Sequence, residues 1–299
     1  APVLVLGATP PEAIGAAALA ALRLTVTSLD GAAQVAAQGG AGVRVHLKVE
    51  TGTHRQGLEI DELAKAARRL VGAGAEIEGA YTHFADIEDT TDHAFAARQL
   101  ERFRDGLEAL DAAGARPRLP HAACTAATIL FPETLFAMGR VGVGLYGLWP
   151  SAETRVSAAE RGRNRLDLEP AMRWTTRIAQ VKRVPAGGYV GYGRTFRATR
   201  QTRLAVLPVG YADGYPRALS GGAHVLVGGL RAPVLGRVCM NLTMVDVTDV
   251  PGAAAGDEVV LLGAQGEERV TAEDLARLAG TINYEIVARV APGLQRVFV

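Results

Sequence analysis

His83, His121 and Arg140 are the residues of this sequence best placed to do chemistry. His83 closes the strand-like run 76–83, His121 stands in the run 117–123, and Arg140 opens the run 140–146. Polar side chains are costly to bury among parallel strands, and at the C-terminal strand ends of a barrel they read as catalytic. A histidine there can move a proton near neutral pH, and an arginine supplies a permanent cation. For any one of them a hydrogen-bonded core group is the competing reading; several together favour a site. Lys48 ends another strand-like run, 43–50, and is conspicuous because the only other lysines are Lys65 and Lys182. A strand lysine usually lays its stem along an edge. Here the polar loop 51–57, with His54 and Arg55, follows at once and is suited to holding an anion.

Gly142, Gly144 and Gly147 match the spacing of a dinucleotide fingerprint. That fingerprint needs a strand, a tight turn and then a helix, with an acid about 20 residues on. Here Leu145-Tyr146 still reads as strand and Trp149-Pro150 follows, so NAD binding fails on context. Glycines at a strand end can still bring backbone amides up to a phosphate. No metal is expected: His46 and His54 are too isolated to complete a ligand set, and Cys124 and Cys239 have no paired neighbours. Tyr192, Tyr211 and Tyr215 sit beside glycines, and Tyr284 lies in the polar stretch 281–285. Alone, such tyrosines are more often turn aromatics than catalysts.

The elements that must position these residues fall into two halves. At 299 residues, 48% hydrophobic and 21% charged, the chain can bury two cores. The first half alternates strand-like runs (3–7, 22–27, 43–50, 76–83, 117–123, 140–146) with helix candidates (10–21, 29–38, 59–72, 92–113, 131–138). Ile60, Leu63, Ala64, Ala67 and Val71 form one apolar stripe; Ala96, Leu100, Phe103, Leu107 and Leu110 form another. Strands alternating with helices imply a parallel sheet, either open and doubly wound or an eight-stranded barrel lacking two strand–helix units. The charged stretch Pro150–Pro170 reads as a connection, and strands with hairpin signals follow it. A single late helix, near 272–279, opens on the capping pattern Thr271-x-x-Asp274. The division predicted is residues 1–165 and 166–299. A net charge of +1 gives no field for nucleic acid or anionic membrane. The two cysteines form no framework, and neither a spanning run nor a signal peptide is visible, so a small-molecule partner in the cytoplasm is expected.

In chain order these pieces resemble the alanine racemase family. The resemblance rests on Thr82-His83-Phe84-Ala85, 140–148, Gly191-Tyr192-Gly193, 210–214, Gly236-Arg237-Val238-Cys239-Met240 and Thr281-Ile282-Asn283-Tyr284-Glu285, all in family order. It implies a (β/α)8 barrel, with its first two strand–helix units absent from this chain, followed by a mainly β C-terminal domain. It also implies pyridoxal 5'-phosphate as cofactor, and a homodimer with shared active sites. The cofactor-anchoring lysine lies, in the family, in a motif like Lys-Ala-Asn-Ala-Tyr-Gly. That motif does not occur here and is expected upstream of Ala1.

The resemblance also implies roles. Tyr192 matches the base that works on one face of the substrate α-carbon from the partner subunit, opposite the lysine. His83 matches the link from that tyrosine to the arginine matched by Arg140, which faces the pyridine nitrogen. Thr125, Gly142, Val143 and Tyr284 match the phosphate cradle, with His121 beside the cofactor. Arg55 and Met240 match contacts to the substrate carboxylate. Lys48 matches a lysine that is often carbamylated. Tyr211, Glu88, Arg217 and Arg237 match positions around the access channel. The sequence departs from the family at Asn241, Cys124, Thr125 and the pair Thr53-His54, which stands where Met-Gly is common. The function implied is interconversion of L- and D-alanine for cell-wall precursors. A non-catalytic chain and a serine or broad-specificity racemase are the alternatives.

Overall fold

The computed structural model describes residues 1–163 and 166–298, so Asn164, Arg165 and Val299 lie outside the description. The chain divides into two compact units. One comprises residues 1–145 and 149–168, the other 146–148 and 169 onward.

In the first unit, strands β1 (Leu4–Ala8), β2 (Arg23–Val26), β3 (Arg44–Lys48), β4 (Glu76–Tyr81) and β5 (Leu119–His121) lie side by side in chain order. All four pairings are parallel. Helices α1 (Pro11–Leu19), α2 (Leu29–Gln38), α3 (Ile60–Gly72) and α4 (Ala94–Ala112) make the crossovers that parallel neighbours require. The sheet does not close into a barrel among the described residues. Its core joins Leu24, Val45 and Leu47 of the strands to Leu63, Leu70, Phe103 and Leu110 of the helices. On β3 every residue after Arg44 is buried.

The sixth expected strand is absent. Residues 143–146 form a single 3-10 turn, since glycines at 142 and 144 favour turning over extension. Helix α5 (Thr125–Leu130) and a 3-10 turn at Pro132–Thr134 replace the helix expected at 131–138. Within the expected connection lies α6 (Ala152–Glu160), capped by the Ser151 hydroxyl accepting from the Thr154 amide. It buries Thr154, Ser157 and Ala158, side chains too small and polar to mark an apolar stripe.

The second unit is mainly β. Strands β6 (Trp174–Arg177), β7 (Gln180–Val184), β8 (Tyr189–Val190), β9 (Phe196–Arg197), β10 (Thr202–Leu207), β11 (His224–Val227), β12 (Leu230–Pro233), β13 (Thr243–Asp246), β14 (Glu258–Gln265) and β15 (Glu268–Val270) pair antiparallel throughout. Helix α7 (Ala272–Ala279) starts at the expected capping box on Thr271 and Asp274. A second helix, α8 (Asn283–Arg289), follows and carries Tyr284.

Candidate active site

Three parallel strands end level with one another. Lys48 pairs with Tyr81, and Tyr81 pairs with His121. Side chains alternate along a strand, so Val45 and Leu47 enter the apolar core while His46 and Lys48 turn to the other face. There the Tyr81 and His121 rings stack, centroids 4.9 Å apart and planes 7° off parallel. Lys48 Nζ stands 6.0 Å from the Tyr81 centroid and the Arg140 guanidinium 5.2 Å from it. Cations over an aromatic face are attracted by its quadrupole.

Arg140 is the hub. Its Nη1 donates to His121 Nδ1 at 2.5 Å and to the His121 carbonyl at 3.2 Å. Its Nη2 donates to the carbonyls of Thr82 (2.7 Å) and Ala122 (3.0 Å) and lies 3.5 Å from His83 Nδ1. None of these bonds uses Nε. Burial lowers His83 to about 4, helped by the charges of Arg140, Arg55 and Lys48. Burial and Arg140 take His121 down to about 2. Both imidazoles are therefore neutral acceptors toward Arg140 at neutral pH.

The loop after β3 is tied to the same place. Thr53 Oγ1 donates to the His83 carbonyl (2.6 Å), and the Thr51 and Thr82 hydroxyls share a hydrogen bond of 2.6 Å. Gln99, fully buried on α4, donates to Thr51 Oγ1 and to the His83 carbonyl and accepts from the Ala85 amide. Burial resists ionisation of Glu50, but the amides of Gly52, His54 and Thr53 outweigh it and hold the carboxyl below its ordinary value. Arg55 is carried on this loop, exposed. Lys48, only 4% exposed, is pushed down by burial and then by the Arg55 charge.

Just after Arg140 in sequence, the Gly142-Val143 pair meets Thr125. The Gly142 amide donates to Thr125 Oγ1 at 3.1 Å. Open space adjoins Gly142, whereas a Cβ on Gly144 would lie 2.7 Å from Thr125 Cγ2. The leading amides of a 3-10 turn have no partner inside it, so this corner offers N–H groups and a hydroxyl to an anion.

In the second unit, Tyr192 leads a turn with φ of 73° at Gly191 and 71° at Gly193, and is 72% exposed. A Cβ on Gly193 would lie 3.2 Å from Arg237 Cζ. The Tyr211 amide donates to the Cys239 carbonyl (3.1 Å) and the Ala212 amide to the Met240 carbonyl (2.9 Å). Tyr211 and Met240 therefore lie on adjoining loops. Arg217 is exposed and Tyr284 half-buried. In the first unit the Glu88 carbonyl accepts from Ser151 Oγ and Thr154 Oγ1.

Known proteins carry the same two parts. The description "Alanine racemase, N-terminal domain" matches residues 1–150, and "Alanine racemase, C-terminal domain" matches residues 171–298. The chain belongs to the alanine racemase family. The alanine racemase of Desulfosudis oleivorans is 42% identical over 311 residues, covering 100% of this chain and 78% of that protein. That of Leptospira interrogans is 40% identical over 256 residues, covering 86% of this chain and 66% of its own length. The chain thus spans just under two thirds of the Leptospira relative. Among solved structures, the Bacillus anthracis alanine racemase with bound L-Ala-P superposes with a TM-score of 0.89 at 35% identity, covering 97% of this chain and 74% of that one. The fold is accordingly that of the alanine racemase family, a TIM-like barrel with a C-terminal β domain.

His46, in contact with His121, and Glu78 beyond it belong to this neighbourhood with Gln99 and Glu50, yet none of the four falls in a family motif. For His46 a signal existed: it stands two residues before Lys48 and so shares its face. Gln99 lies within the α4 stripe positions, where a single polar residue among apolar ones marks a buried partner.

Proposed function

We propose that the protein carrying this chain is a pyridoxal 5'-phosphate-dependent alanine racemase, acting in the cytoplasm as a homodimer whose subunits share active sites. The observation that carries this reading is Arg140, held by His121, by three strand-end carbonyls and beside His83, with Nε used in none of these bonds.

The residues present fit the cofactor. The Gly142–Thr125 corner suits a phosphate dianion, and a Cβ at 142 would enter the space beside it. Tyr284 would complete the phosphate contacts, with His121 beside the ring. Arg140 suits a pyridine nitrogen: a guanidinium keeps its protons, so it donates to that nitrogen without protonating it. When bound, the cofactor supplies an electron sink for the α-proton removal.

The protein's own groups then divide the work. Arg55 in the first unit and the Met240 amide in the second would each serve as a contact for the substrate carboxylate. Lys48 is the residue for carbamylation: burial and two neighbouring cations favour its uncharged form, and the product would be an anion facing Arg55. His83, accepting from Arg140 at Nδ1, carries its proton on Nε2, free to be donated to the partner subunit's Tyr192. A phenol positioned beside that donor serves as general base on one face of the substrate α-carbon. Tyr211, Glu88, Arg217 and Arg237 would line the way in.

The test is racemisation of L-alanine by the full-length protein, followed by loss of optical activity. Tyr192→Phe is expected to lower kcat about 100-fold or more, the usual weight of a general base, with cofactor absorbance unchanged. Cofactor-loaded protein that racemises serine or lysine but not alanine would overturn the substrate assignment.

A further inference from the structure

Behind Arg140 runs a buried line of side chains that the proposed chemistry does not use. His121 Nε2 lies 2.9 Å from His46 Nδ1, and His46 Nε2 lies 3.5 Å from Glu78 Oε2. Arg23 Nε donates to the same Glu78 oxygen at 3.0 Å, and Arg118 Nη2 stands 3.6 Å from Oε1. His121 and His46 are 0% and 2% exposed.

The proton positions along this line follow from Arg140. A guanidinium has donors only, so His121 Nδ1 must carry a lone pair, and a neutral His121 has its proton on Nε2. His46 must then accept at Nδ1 and carry its own proton on Nε2, toward the Glu78 carboxylate. An additional proton on either ring would set N–H against N–H at one of the two short contacts. Burial and the charges of Arg23 and Arg140 also disfavour a charged His46, against the pull of Glu78. Burial alone would raise Glu78, but Arg23 and His46 outweigh it and keep it ionised.

Two backbone features exist to make this line fit. The β3–β4 register slips between Val45 and His46, where Val45 pairs with Ile77 and His46 with Gly79, so Glu78 has no partner on β3. Such bulges re-aim a side chain. A Cβ on Gly79 would lie 2.2 Å from His46 Nδ1, although the Gly79 backbone is not left-handed. Glycine is there to admit the ring.

We propose that His46 and Glu78 are positioning residues: acting through His121, they lock its tautomer so that Arg140 always meets a lone pair and is held in one orientation. Gly79 provides the space for this lock.

The arrangement is read directly by long-range 1H–15N NMR on the histidine-labelled chain, with signals assigned by single substitutions. His46 and His121 are expected as neutral Nε2–H tautomers throughout pH 5.5–8; an Nδ1–H tautomer or a doubly protonated ring at either position in that range overturns the proposal. The consequence for function rests on the racemase reading and is measured on cofactor-loaded full-length protein. His46→Leu, which leaves the His121 proton without an acceptor, is expected to lower kcat about tenfold with KM held within about twofold. His46→Gln, which offers a carbonyl oxygen, is expected to recover most of the loss. Equal losses in the two variants would mean that His46 only fills space, and the proposal fails. Should the protein bind no cofactor, the racemase reading falls while the NMR result still decides the lock.

Discussion

His54 holds a left-handed backbone, with φ of 49°, in the loop that carries Arg55. A Cβ in that region meets the following carbonyl and costs about 1–2 kcal/mol, while glycine would surrender about 0.5–1 kcal/mol of chain entropy on folding. The loop tolerates the strain because the Glu50 carboxylate gathers the amides of Gly52, Thr53 and His54 and Thr53 is tied to the His83 carbonyl. His54→Gly is therefore expected to leave stability unchanged or raise it by up to about 1 kcal/mol, seen as a higher urea midpoint. Glu50→Gln is expected to lower stability and raise the KM for alanine, because a neutral amide accepts those N–H groups less strongly and Arg55 loses its fixed approach. A His54→Gly variant that unfolds earlier would show the imidazole, not the carboxylate, to be the anchor. At this scale the sequence was legible in kind: the pair Thr53-His54 reads as a departure where Met-Gly is common. That the pair also makes a strained turn needs the dihedral angle to be seen.

The corner between α5 and the 3-10 turn at Val143–Tyr146 depends on a contact between elements. A methyl group at position 144 would lie 2.7 Å from Thr125 Cγ2, and overpacking of that kind typically costs about 1–3 kcal/mol. Gly144→Ala is expected to weaken pyridoxal 5'-phosphate binding roughly tenfold, by the same conversion of energy to affinity. Thr125→Ser in that background removes Cγ2, keeps the hydroxyl and should restore most of the affinity; equilibrium titration of cofactor absorbance reads both. Failure of the serine to rescue would mean that Gly144 serves the turn rather than the cradle. Elements with strong periodicity or caps were readable, as the Thr271–Asp274 capping box of α7 shows. Those decided by tertiary packing were not. The apolar run at 140–146 matched a strand until its glycines turned it, and α6 buries threonine and serine. On α3 the stripe is rotated: Ala66 and Leu70 are buried while Val71 is 54% exposed. A helix leaves several adjacent apolar stripes open until its neighbours choose one.

Across the whole molecule the histidines set the response to acid. His46, His83, His93, His121 and His224 are all lowered from 6.5, with burial the largest cause in each case. A group whose folded value is depressed takes up its proton more readily in the unfolded chain, so the stability it contributes is complete above about 6.5 and lost as pH falls toward the folded value. For His83 that window closes near 4, and for His121 near 2. Glu50, Glu78 and Asp274 are also held below their ordinary values, so they add losses of the same sign at lower pH, after the histidines. Acid should therefore destabilise this protein earlier than carboxylates alone would dictate, beginning just below neutrality. At pH 5.5 an ordinary histidine is about 90% protonated when unfolded, so His83 and His121 together should draw about two protons on unfolding. Unbuffered urea unfolding followed by a pH electrode measures this uptake. His121→Asn should reduce it by about one proton, since its imidazole is then gone from both states. No net uptake at pH 5.5 would mean that the strand-end imidazoles are solvated and titrate normally, and Arg140 would then face cations rather than lone pairs.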